Sequence, residues 1–473
     1  MRSKYLFLLI FLCALYGCQI GASYQRPATE LPTAWPSTSE AGAVTTPGAR
    51  WWTLLYNDKV LDQLIVEALQ HNRDLALAVA RVDEARAQAN VASSLRYPAI
   101  DATAQRDRTR ASEMSPIPIP ASAIERSDAR AQFNVSYELD LWGRLRNAGN
   151  AARADLLATQ AARDTVRIAL VTEVVRSYFT LQALDEQVAV MRRTLDLRAD
   201  NLRLQRVRHT AGMIGDLPLR QLEAEVLAAQ AQLPALERSR TAEELALAVL
   251  LGRSPRAISG APVQRSATEG DRNEPPPPLV PEGLPSDLLL RRPDIVQAEQ
   301  RLVAANARIA VARAGMFPRI ALTGYLGGES SALGDLFTAP ARIWQLAFAL
   351  SQPIFQAGRL SGEIEAVRAR ERQAVEQYQK TLQEAFREVR QALSAQLRSR
   401  EIFEAETARS AALRDALRLA RLRFDNGLTS QIEVIDGERN LLAAEINRLE
   451  ALRARRVAVA DLVKALGGGW ESK

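Results

Sequence analysis

The sequence predicts a mixed α and β membrane protein that contains an internal two-fold repeat. Three observations support this fold class. Stretches in both halves of the chain alternate apolar and polar residues with the period of a β-strand, and two proline-free stretches of about 65 residues have helical periodicity. The motifs that border these stretches occur twice along the 473 residues. At 1.5 Å per residue each long helix would measure about 100 Å, which exceeds the size of an ordinary globular domain.

Residues 1–17 are predicted to be a lipoprotein signal peptide. Two basic residues precede an apolar run of about 12 residues, which is too short to cross a bilayer as a helix. Leu15-Tyr16-Gly17-Cys18 resembles a bacterial lipobox, so Cys18 is the predicted lipidation site. An ordinary secretory signal with a chance cysteine is the alternative. Cys13 lies inside the apolar run, so Cys18 is expected to be the one cysteine of the mature chain, without a partner for an intramolecular disulfide.

The next two segments are an extended arm and the first structural repeat. Residues 18–50 are rich in proline, serine, threonine and glycine, which predicts an extended arm behind the lipid. The first repeat is predicted over residues 51–253. Its elements are a helix at 60–91, strands at 100–110 and 131–141, a long helix at 144–208 and a return helix at 217–251, which Pro234 is expected to kink.

A linker, a second repeat and a tail complete the predicted organisation. Residues 254–285 contain four consecutive prolines and are expected to run over the surface in polyproline conformation. The second repeat covers residues 286–466, and residues 467–473 form a C-terminal tail. The repeat's predicted elements are a helix at 294–313, strands at 320–326 and 344–351, a long helix at 359–424 and a return helix at 431–466.

Three motif pairs reveal the duplication. Gly143 in the motif LWGRL matches Gly358 in QAGRL, 215 residues later, and Gly212 matches Gly427 at the same offset. Upstream, Pro98 and Pro318 are 220 residues apart in similar motifs. Two helices that were alike only in alanine and arginine content would not share all three pairs. A duplication that keeps the helix length constant indicates that this length matters to the fold.

The strands bear on membrane insertion and on assembly. The strand predicted at 131–141 has about 11 residues, which suits a tilted strand that crosses a bilayer. A sheet in lipid has to close into a barrel, and the smallest bacterial barrels have about eight strands. Two chains would supply eight strands and three would supply twelve, and a polar strand face suits the wet interior of the larger barrel. A soluble hairpin with one buried face has the same pattern and is the alternative.

Composition argues against catalysis and nucleic-acid binding. The chain has two histidines, His71 and His209, on separate predicted helices, and no nucleophile triad, metal-ligand cluster or glycine-rich phosphate loop. We therefore expect neither enzyme activity nor a metal or cofactor. The net charge is +6, but no ladder of aromatic residues accompanies the arginines, which favours a solvated wall over a nucleic-acid site.

A set of motifs distributed along the chain points to a known family. The motifs are Tyr24-Gln25-Arg26-Pro27, Leu139-Asp140-Leu141-Trp142-Gly143-Arg144, Arg291-Arg292-Pro293-Asp294-Ile295, Ala304-Ala305-Asn306-Ala307, Ala312-Arg313-Ala314 and Phe317-Pro318. They resemble those of the outer membrane factor family, the outer-membrane channels of tripartite efflux pumps, and specifically its lipoprotein branch. The resemblance implies a homotrimer whose strands form a twelve-stranded transmembrane β-barrel, continued by a long α-helical barrel in the periplasm. It implies passive conduction of drugs or other small solutes. The implied partners are outer-membrane lipid around the barrel, a periplasmic membrane-fusion adaptor and a proton-driven inner-membrane transporter.

The resemblance also implies two sites. Carboxylates just after the second hairpin turn constrict the periplasmic end of such channels, and three copies of each would form negative rings that favour cations. The turns themselves would contact the adaptor. The matching residues are Glu433, Asp436 and Asp216 for the constriction, and Gly212, Gly427, Asn426 and Thr429 for the turns.

The chain departs from the family pattern near this constriction. Phe424 and Thr429 stand where some members carry a tyrosine and an arginine that lock the channel, and Pro218 stands where an aspartate is common. The sequence therefore does not specify which bonds would close the gate. An alternative interpretation is that Glu433 and Asp436 are solvated carboxylates in the first helical turn, where the helix dipole favours negative charge. The alternative functions are a lipid-anchored periplasmic coiled-coil tether or scaffold, and the exit duct of a protein-secretion system.

Overall fold

The computed structural model describes residues 24–28, 50–114, 120–121, 124–260, 262–266 and 290–468. The predicted signal peptide, Cys18, most of the arm and the four consecutive prolines lie outside these residues. Within the described ranges, no helix is both long enough and apolar enough to cross a membrane.

The order of elements confirms the internal repeat. Corresponding elements have equal lengths: 67 residues in both long helices, 35 in both return helices, 22 in the helices before the sheet and 12 in the first strand of each half. The elements are α1 (Trp51–Tyr56), α2 (Lys59–His71), α3 (Arg73–Ser94), β1 (Ala99–Arg110), β2 (Glu125–Glu138), α4 (Arg144–Thr210), α5 (Asp216–Leu250), α6 (Pro255–Gly260), α7 (Pro293–Ala314), β3 (Arg319–Ser330), β4 (Arg342–Ser351), α8 (Arg359–Asp425) and α9 (Gln431–Ala465).

The chain forms two compact units, and each takes residues from both repeats. Of the described residues, the first unit contains 24–28, 81–160 and 297–379, and we call it the sheet unit. The second contains 50–80, 161–296 and 380–468, and we call it the helix unit. Because each unit draws on both repeats, neither repeat packs as a separate domain.

The sheet unit holds one antiparallel sheet in the order β1-β2-β3-β4. Its register aligns Phe133 with Leu326 and Leu326 with Trp344, so large apolar residues share one face. We call this the apolar face. On the opposite, polar face, the Gln132 amide donates to Asn134 at 2.7 Å, and the Asn134 amide donates to Thr103 at 3.1 Å. The alternation predicted for a membrane strand is therefore present in β2 from Phe133 to Tyr137, and the register places the large apolar residues of β3 and β4 on the same face.

The bounds predicted for the second strand were wrong at both ends. β2 begins at Glu125, six residues earlier than predicted, because β1 pairs with it as far as Arg110. It ends at Glu138, since the Asp140 carboxylate accepts from the backbone N–H groups of Leu145 at 3.0 Å and Arg146 at 2.7 Å. Asp140 thereby caps α4, so residues 139–142 turn the chain instead of extending the strand.

The helix predicted at 60–91 is two helices, separated at Asn72. The Asn72 backbone is extended, and its side-chain oxygen accepts from Leu75 N–H at 3.0 Å, which starts α3. Its amide also donates to the Leu250 carbonyl at 2.9 Å, at the end of α5. In the second repeat the same place is taken by Arg292, which donates to the Ala465 carbonyl at the end of α9. An asparagine in one repeat and an arginine in the other therefore bond to the last carbonyl groups of the return helix.

The predicted linker begins with a short helix instead of a polyproline segment, and the predicted tail begins with a packed glycine. Residues 255–260 form α6, and the Val263 side chain after it is buried. Arg265 forms ion pairs with Asp185 at 2.6 Å and with Glu244 at 2.7 Å. Gly467, the first residue of the predicted tail, has φ +93 and packs against Arg292. The start of the linker and the start of the tail are therefore parts of the helix unit.

The main core of the helix unit lies among α1, α2, α4, α5 and α9. Tyr178 is fully buried there, and its hydroxyl donates to the Asp58 carboxylate at 2.6 Å. Burial is the largest cause that raises the pKa of Tyr178, and the hydrogen bond to Asp58 acts in the same direction. Asp58 also caps α2 by accepting from the N–H groups of Val60 and Leu61. This core ties both repeats together, because its members include Trp51, Ile65, Leu247 and Val463.

Candidate functional site at the two helical hairpin turns

Each repeat has a hairpin turn between its long helix and its return helix. In the first, Met213 N–H donates to the Arg208 carbonyl at 2.8 Å, and Gly212 N–H donates to His209 at 2.9 Å. In the second, Leu428 N–H donates to Arg423 at 2.8 Å, and Gly427 N–H donates to Phe424 at 2.9 Å. Both sets form a Schellman motif, which ends a helix with a left-handed residue. The two turns are therefore the same structure, built twice.

The two turn glycines combine a backbone requirement with open surroundings. Gly212 has φ +72 and Gly427 has φ +70, which is the left-handed region that glycine adopts without a steric penalty. A Cβ atom placed at either residue would meet no other atom within 4 Å. The left-handed backbone favours glycine at these two positions, although a larger side chain would meet no neighbouring atom. The Asn426 amide, next to Gly427, donates to the Leu422 carbonyl at 2.7 Å and so holds the last turn of α8.

The carboxylates predicted for the constriction lie beside arginines of the same chain. Glu433 is in the first turn of α9, 3.8 Å from Arg423, and Asp436 lies 3.7 Å from Arg439. Their side chains are 51% and 58% exposed. Residues three apart on a helix share a face, so α9 presents both carboxylates together. Their negative charge is partly offset by the neighbouring arginines.

Asp216 is in a different position from Glu433. It lies in the first turn of α5, and its carboxylate is 2.8 Å from the His209 ring. Its repeat-related residue is Gln431, at the offset of 215, and not Glu433. The structure therefore brings Glu433 and Asp436 together on α9, whereas Asp216 belongs to the first hairpin turn.

The residues that depart from the family pattern have local roles. Pro218 is in the first turn of α5, where the backbone N–H that proline lacks has no partner within the helix. Phe424 is half-buried and accepts the turn hydrogen bond from Gly427 through its carbonyl. Thr429 is half-buried, and its hydroxyl has no hydrogen-bond partner among the described residues.

A repeat-related ion pair braces each hairpin just behind its turn. Arg206 lies 3.1 Å from Glu223 in the first hairpin, and Arg421 lies 2.8 Å from Glu438 in the second. Both residues of the pair keep the 215-residue offset. Glu223 also accepts from Arg220 at 2.7 Å. The bond from Arg220, followed by that from Arg206, lowers the pKa of the Glu223 carboxyl below its ordinary value. A search of the sequence for charged residues that recur 215 positions later would have found both residues of this pair.

A buried charge cluster joins the two hairpins. Glu225 on α5 is 3.1 Å from Arg198 on α4, and their side chains are 8% and 6% exposed. Arg439 on α9 donates from Nε to the same carboxylate at 2.8 Å. Since Arg439 also lies beside Asp436, the cluster connects the predicted constriction to the first hairpin. No sequence pattern pointed to Glu225. The same helices also contribute a buried apolar cluster: Leu202, Leu219, Leu222, Val226 and Ile435.

No group of three or more histidine, cysteine, aspartate or glutamate side chains in the described part of the chain is arranged to hold a metal ion.

Comparison with known proteins identifies the family. The sequence model for outer membrane efflux proteins matches residues 64–253 and 284–468, one range in each repeat. The chain belongs to the outer membrane efflux protein family. It is 34% identical over 472 residues to the toluene efflux pump outer membrane protein TtgI of Pseudomonas putida, with 97% of each chain covered. It is 32% identical over 462 residues to the cation efflux system protein CusC of Escherichia coli, again with 97% of each covered.

Solved structures confirm the fold. The outer membrane channel CmeC of Campylobacter jejuni superposes with a TM-score of 0.89 over 96% of each chain, at 24% identity. The resemblance to outer membrane factors and the mixed α and β fold class predicted from the sequence are therefore confirmed. The predicted location in the outer membrane is confirmed by relatives such as TtgI, which is named an outer membrane protein. Membership of the family also removes the coiled-coil tether as an alternative.

Proposed function

We propose that this outer membrane efflux protein is the exit duct of a tripartite efflux system. Three copies form a homotrimer, which conducts drugs or other small solutes passively out of the cell. The sheets form a barrel in the outer membrane, and the helical hairpins form a periplasmic tunnel. An inner-membrane transporter supplies the energy, so the duct itself catalyses no reaction.

The observation that carries this proposal is the open sheet with an exposed apolar face. Among the described strands, β1 and β4 each have one edge without a partner strand. On the apolar face, Trp344 is 72% exposed and Phe348 is 65% exposed. Lipid suits such a face but excludes open edges, because unpaired backbone groups cannot hydrogen-bond there. Pairing β4 with β1 of another copy satisfies both edges, and three copies give a twelve-stranded barrel.

The hairpin turns are the surface we assign to the periplasmic adaptor. Gly212 and Gly427 present backbone with free space around it, so an adaptor can approach closely at two equivalent places on each chain. The names of the relatives support a pump assembly: TtgI belongs to a toluene efflux pump and CusC to a cation efflux system. Toluene and a cation share no chemistry that one binding site would recognise. This difference between relatives favours a tunnel wall that guides its cargo without binding it tightly.

The constriction we propose consists of Glu433 and Asp436 on α9 and Asp216 at the start of α5, three copies of each. Rings of carboxylates in a narrow passage favour cations over anions. Arg423 and Arg439 lie within 4 Å of Glu433 and Asp436, respectively, and weaken the rings, so the expected cation selectivity is moderate.

The arm behind the lipidated Cys18 is held on the sheet unit by its described residues. Arg26 donates to both oxygens of Glu299 on α7, at 2.7 and 2.8 Å. Tyr24 lies beside the same carboxylate, and burial, followed by the charge of Glu299, raises the pKa of Tyr24 to about 12. A bidentate arginine–carboxylate pair fixes orientation as well as distance. We propose that this pair holds the arm in place after the lipid has entered the membrane.

The mass of the mature protein in mild detergent tests the proposed duct. Wild type and Cys18→Ala are extracted and their masses measured with and without detergent. A Cys18→Ala trimer that still requires detergent is expected, because the barrel and not the lipid holds it in the membrane. A soluble monomer or dimer would refute the barrel. The alternative of a protein-secretion duct is tested by expressing the chain with adaptor and transporter, since dye efflux is expected only from a small-solute duct.

A further inference from the structure

The feature that the proposed duct leaves unexplained is a group of arginines at one end of the apolar face. Arg106, Arg108 and Arg110 alternate with Asp107 and Thr109 along β1, so the three arginines share one face. The register pairs Ala102 with Phe133, which places these arginines on the apolar face. Arg342, at the start of β4, lies on the same face, because Trp344 two residues later pairs with Leu326. We call Arg106, Arg108, Arg110 and Arg342 the arginine rim.

Charge is segregated between the two faces at this end of the sheet. Asp107 and Asp128 pair across β1 and β2, on the polar face. On the apolar face, Glu125 is 2.9 Å from Arg108 and 3.0 Å from Arg110, so one carboxylate serves two arginines. Arg106 and Arg342 are exposed, and neither has an ion-pair partner within the described residues. The rim therefore has an excess of positive charge on the side that faces lipid.

In the proposed duct, the arginine rim lies near the depth of lipid headgroups. Among the strand residues of the apolar face, Trp344 is the last large apolar side chain before this end of the sheet. Aromatic residues mark the membrane–water interface of outer-membrane barrels. Arg342 lies one same-face position beyond Trp344, about 7 Å along the strand, and Arg106 lies about 7 Å further in the register. Both arginines thus follow Trp344 at the level where headgroup phosphates begin.

The rim also lies at the outward end of the sheet. The strand ends that adjoin helices are Ala99, Glu138, Arg319 and Ser351, and the register brings them to one end. The arginine rim is at the opposite end, beside the β1–β2 and β3–β4 connections. In the proposed duct the helices are periplasmic, so the rim contacts the outer leaflet. This step rests on the proposed function.

We propose that the arginine rim binds the phosphate groups of lipid A, with Arg106 and Arg342 as the main contacts. Guanidinium groups donate bidentate hydrogen bonds to phosphate and keep their charge at any physiological pH. The outer leaflet presents phosphorylated glycolipid at this level, which complements the excess positive charge. The trimer would carry three copies of the rim, so lipid binding would surround the barrel and fix its depth in the membrane.

Native mass spectrometry of the purified trimer tests the proposal. The probes are lipid A with both phosphates, the same lipid without phosphate, and phosphatidylglycerol. Wild type is expected to retain phosphorylated lipid A in preference to the other two lipids. Arg106→Gln/Arg342→Gln is expected to weaken this binding by roughly 30-fold, from the usual contribution of two basic residues near an anionic surface.

The matched control is Arg126→Gln/Arg319→Gln, which removes the same charge from exposed positions on the polar face. It is expected to bind lipid A as wild type does. Equal binding by the rim variant and wild type, or equal binding of dephosphorylated lipid A, would overturn the proposal. Phosphatidylglycerol bound as tightly as lipid A would overturn the choice of lipid. The same spectra report the trimer, so a wild-type chain that forms no trimer refutes the proposed duct instead.

Discussion

Neutralising Glu225 should loosen the two hairpins where they meet. In Glu225→Gln, Arg198 stays buried without a carboxylate, and loss of one partner from a buried pair costs about 3–5 kcal/mol. Arg439→Ala should cost only about 1 kcal/mol, because Arg439 is 58% exposed and Glu225 keeps its bond to Arg198. The structure therefore predicts a strong asymmetry between two substitutions of one cluster.

Hydrogen exchange measures this local opening without requiring two-state unfolding of a trimer. Peptides from α4 and α5 that contain the cluster should exchange roughly 150- to 5,000-fold faster in Glu225→Gln, and less than about 10-fold faster in Arg439→Ala. Asp200→Asn is the control, because its pair with Arg203 is exposed on α4, and it should change exchange little. Equal, small effects of Glu225→Gln and Arg439→Ala would refute the view that the buried pair stabilises the hairpins.

Four further outcomes are expected. Gly427→Glu should abolish efflux at unchanged protein level. Gly427→Asn should retain efflux, because asparagine tolerates the left-handed backbone. Efflux by both variants would place the adaptor contact elsewhere. Glu433→Ala/Asp436→Ala should raise single-channel conductance and lower cation selectivity in planar bilayers, and an unchanged channel would contradict the constriction. The pKa of Glu223 is lowered in the folded protein, so Glu223 stabilises the first hairpin fully above the ordinary glutamate pKa. This stabilisation is lost as the pH falls through the lowered value. Hydrogen exchange at the hairpin should become faster over that pH range in wild type, whereas Glu223→Gln should show no such pH dependence. Arg26→Ala should make the arm more sensitive to protease, and equal cleavage of wild type would argue against its attachment to α7.

Elements that depend on short-range periodicity were predictable from the sequence. The long helix predicted at 144–208 is Arg144–Thr210, and the return helix predicted at 431–466 is Gln431–Ala465. Errors arose where a side chain bonds across the fold. Asn72 interrupts a helical pattern because it caps α3 and also bonds to α5, and neither partner changes the local periodicity.

The charged start of β2 was missed for a related reason. Residues 125–130 carry charge on both faces, so they lack the alternation that identifies a strand. Their pairing with β1, and that of Ala129 and Arg130 with β3, keeps them extended. The arginine rim was invisible for the same reason, because the face of each arginine depends on the register of the sheet.

The sequence by itself determined the duplication, the equal helix lengths, the glycine turns and the family. Each of these depends on spacing along the chain, which periodicity and repeated motifs record directly. Tertiary structure alone decided that Glu225 meets Arg198, 27 residues away, and Arg439, 214 residues away. Charges on helices are usually solvated, and they become a buried cluster only when three helices remove the water between them.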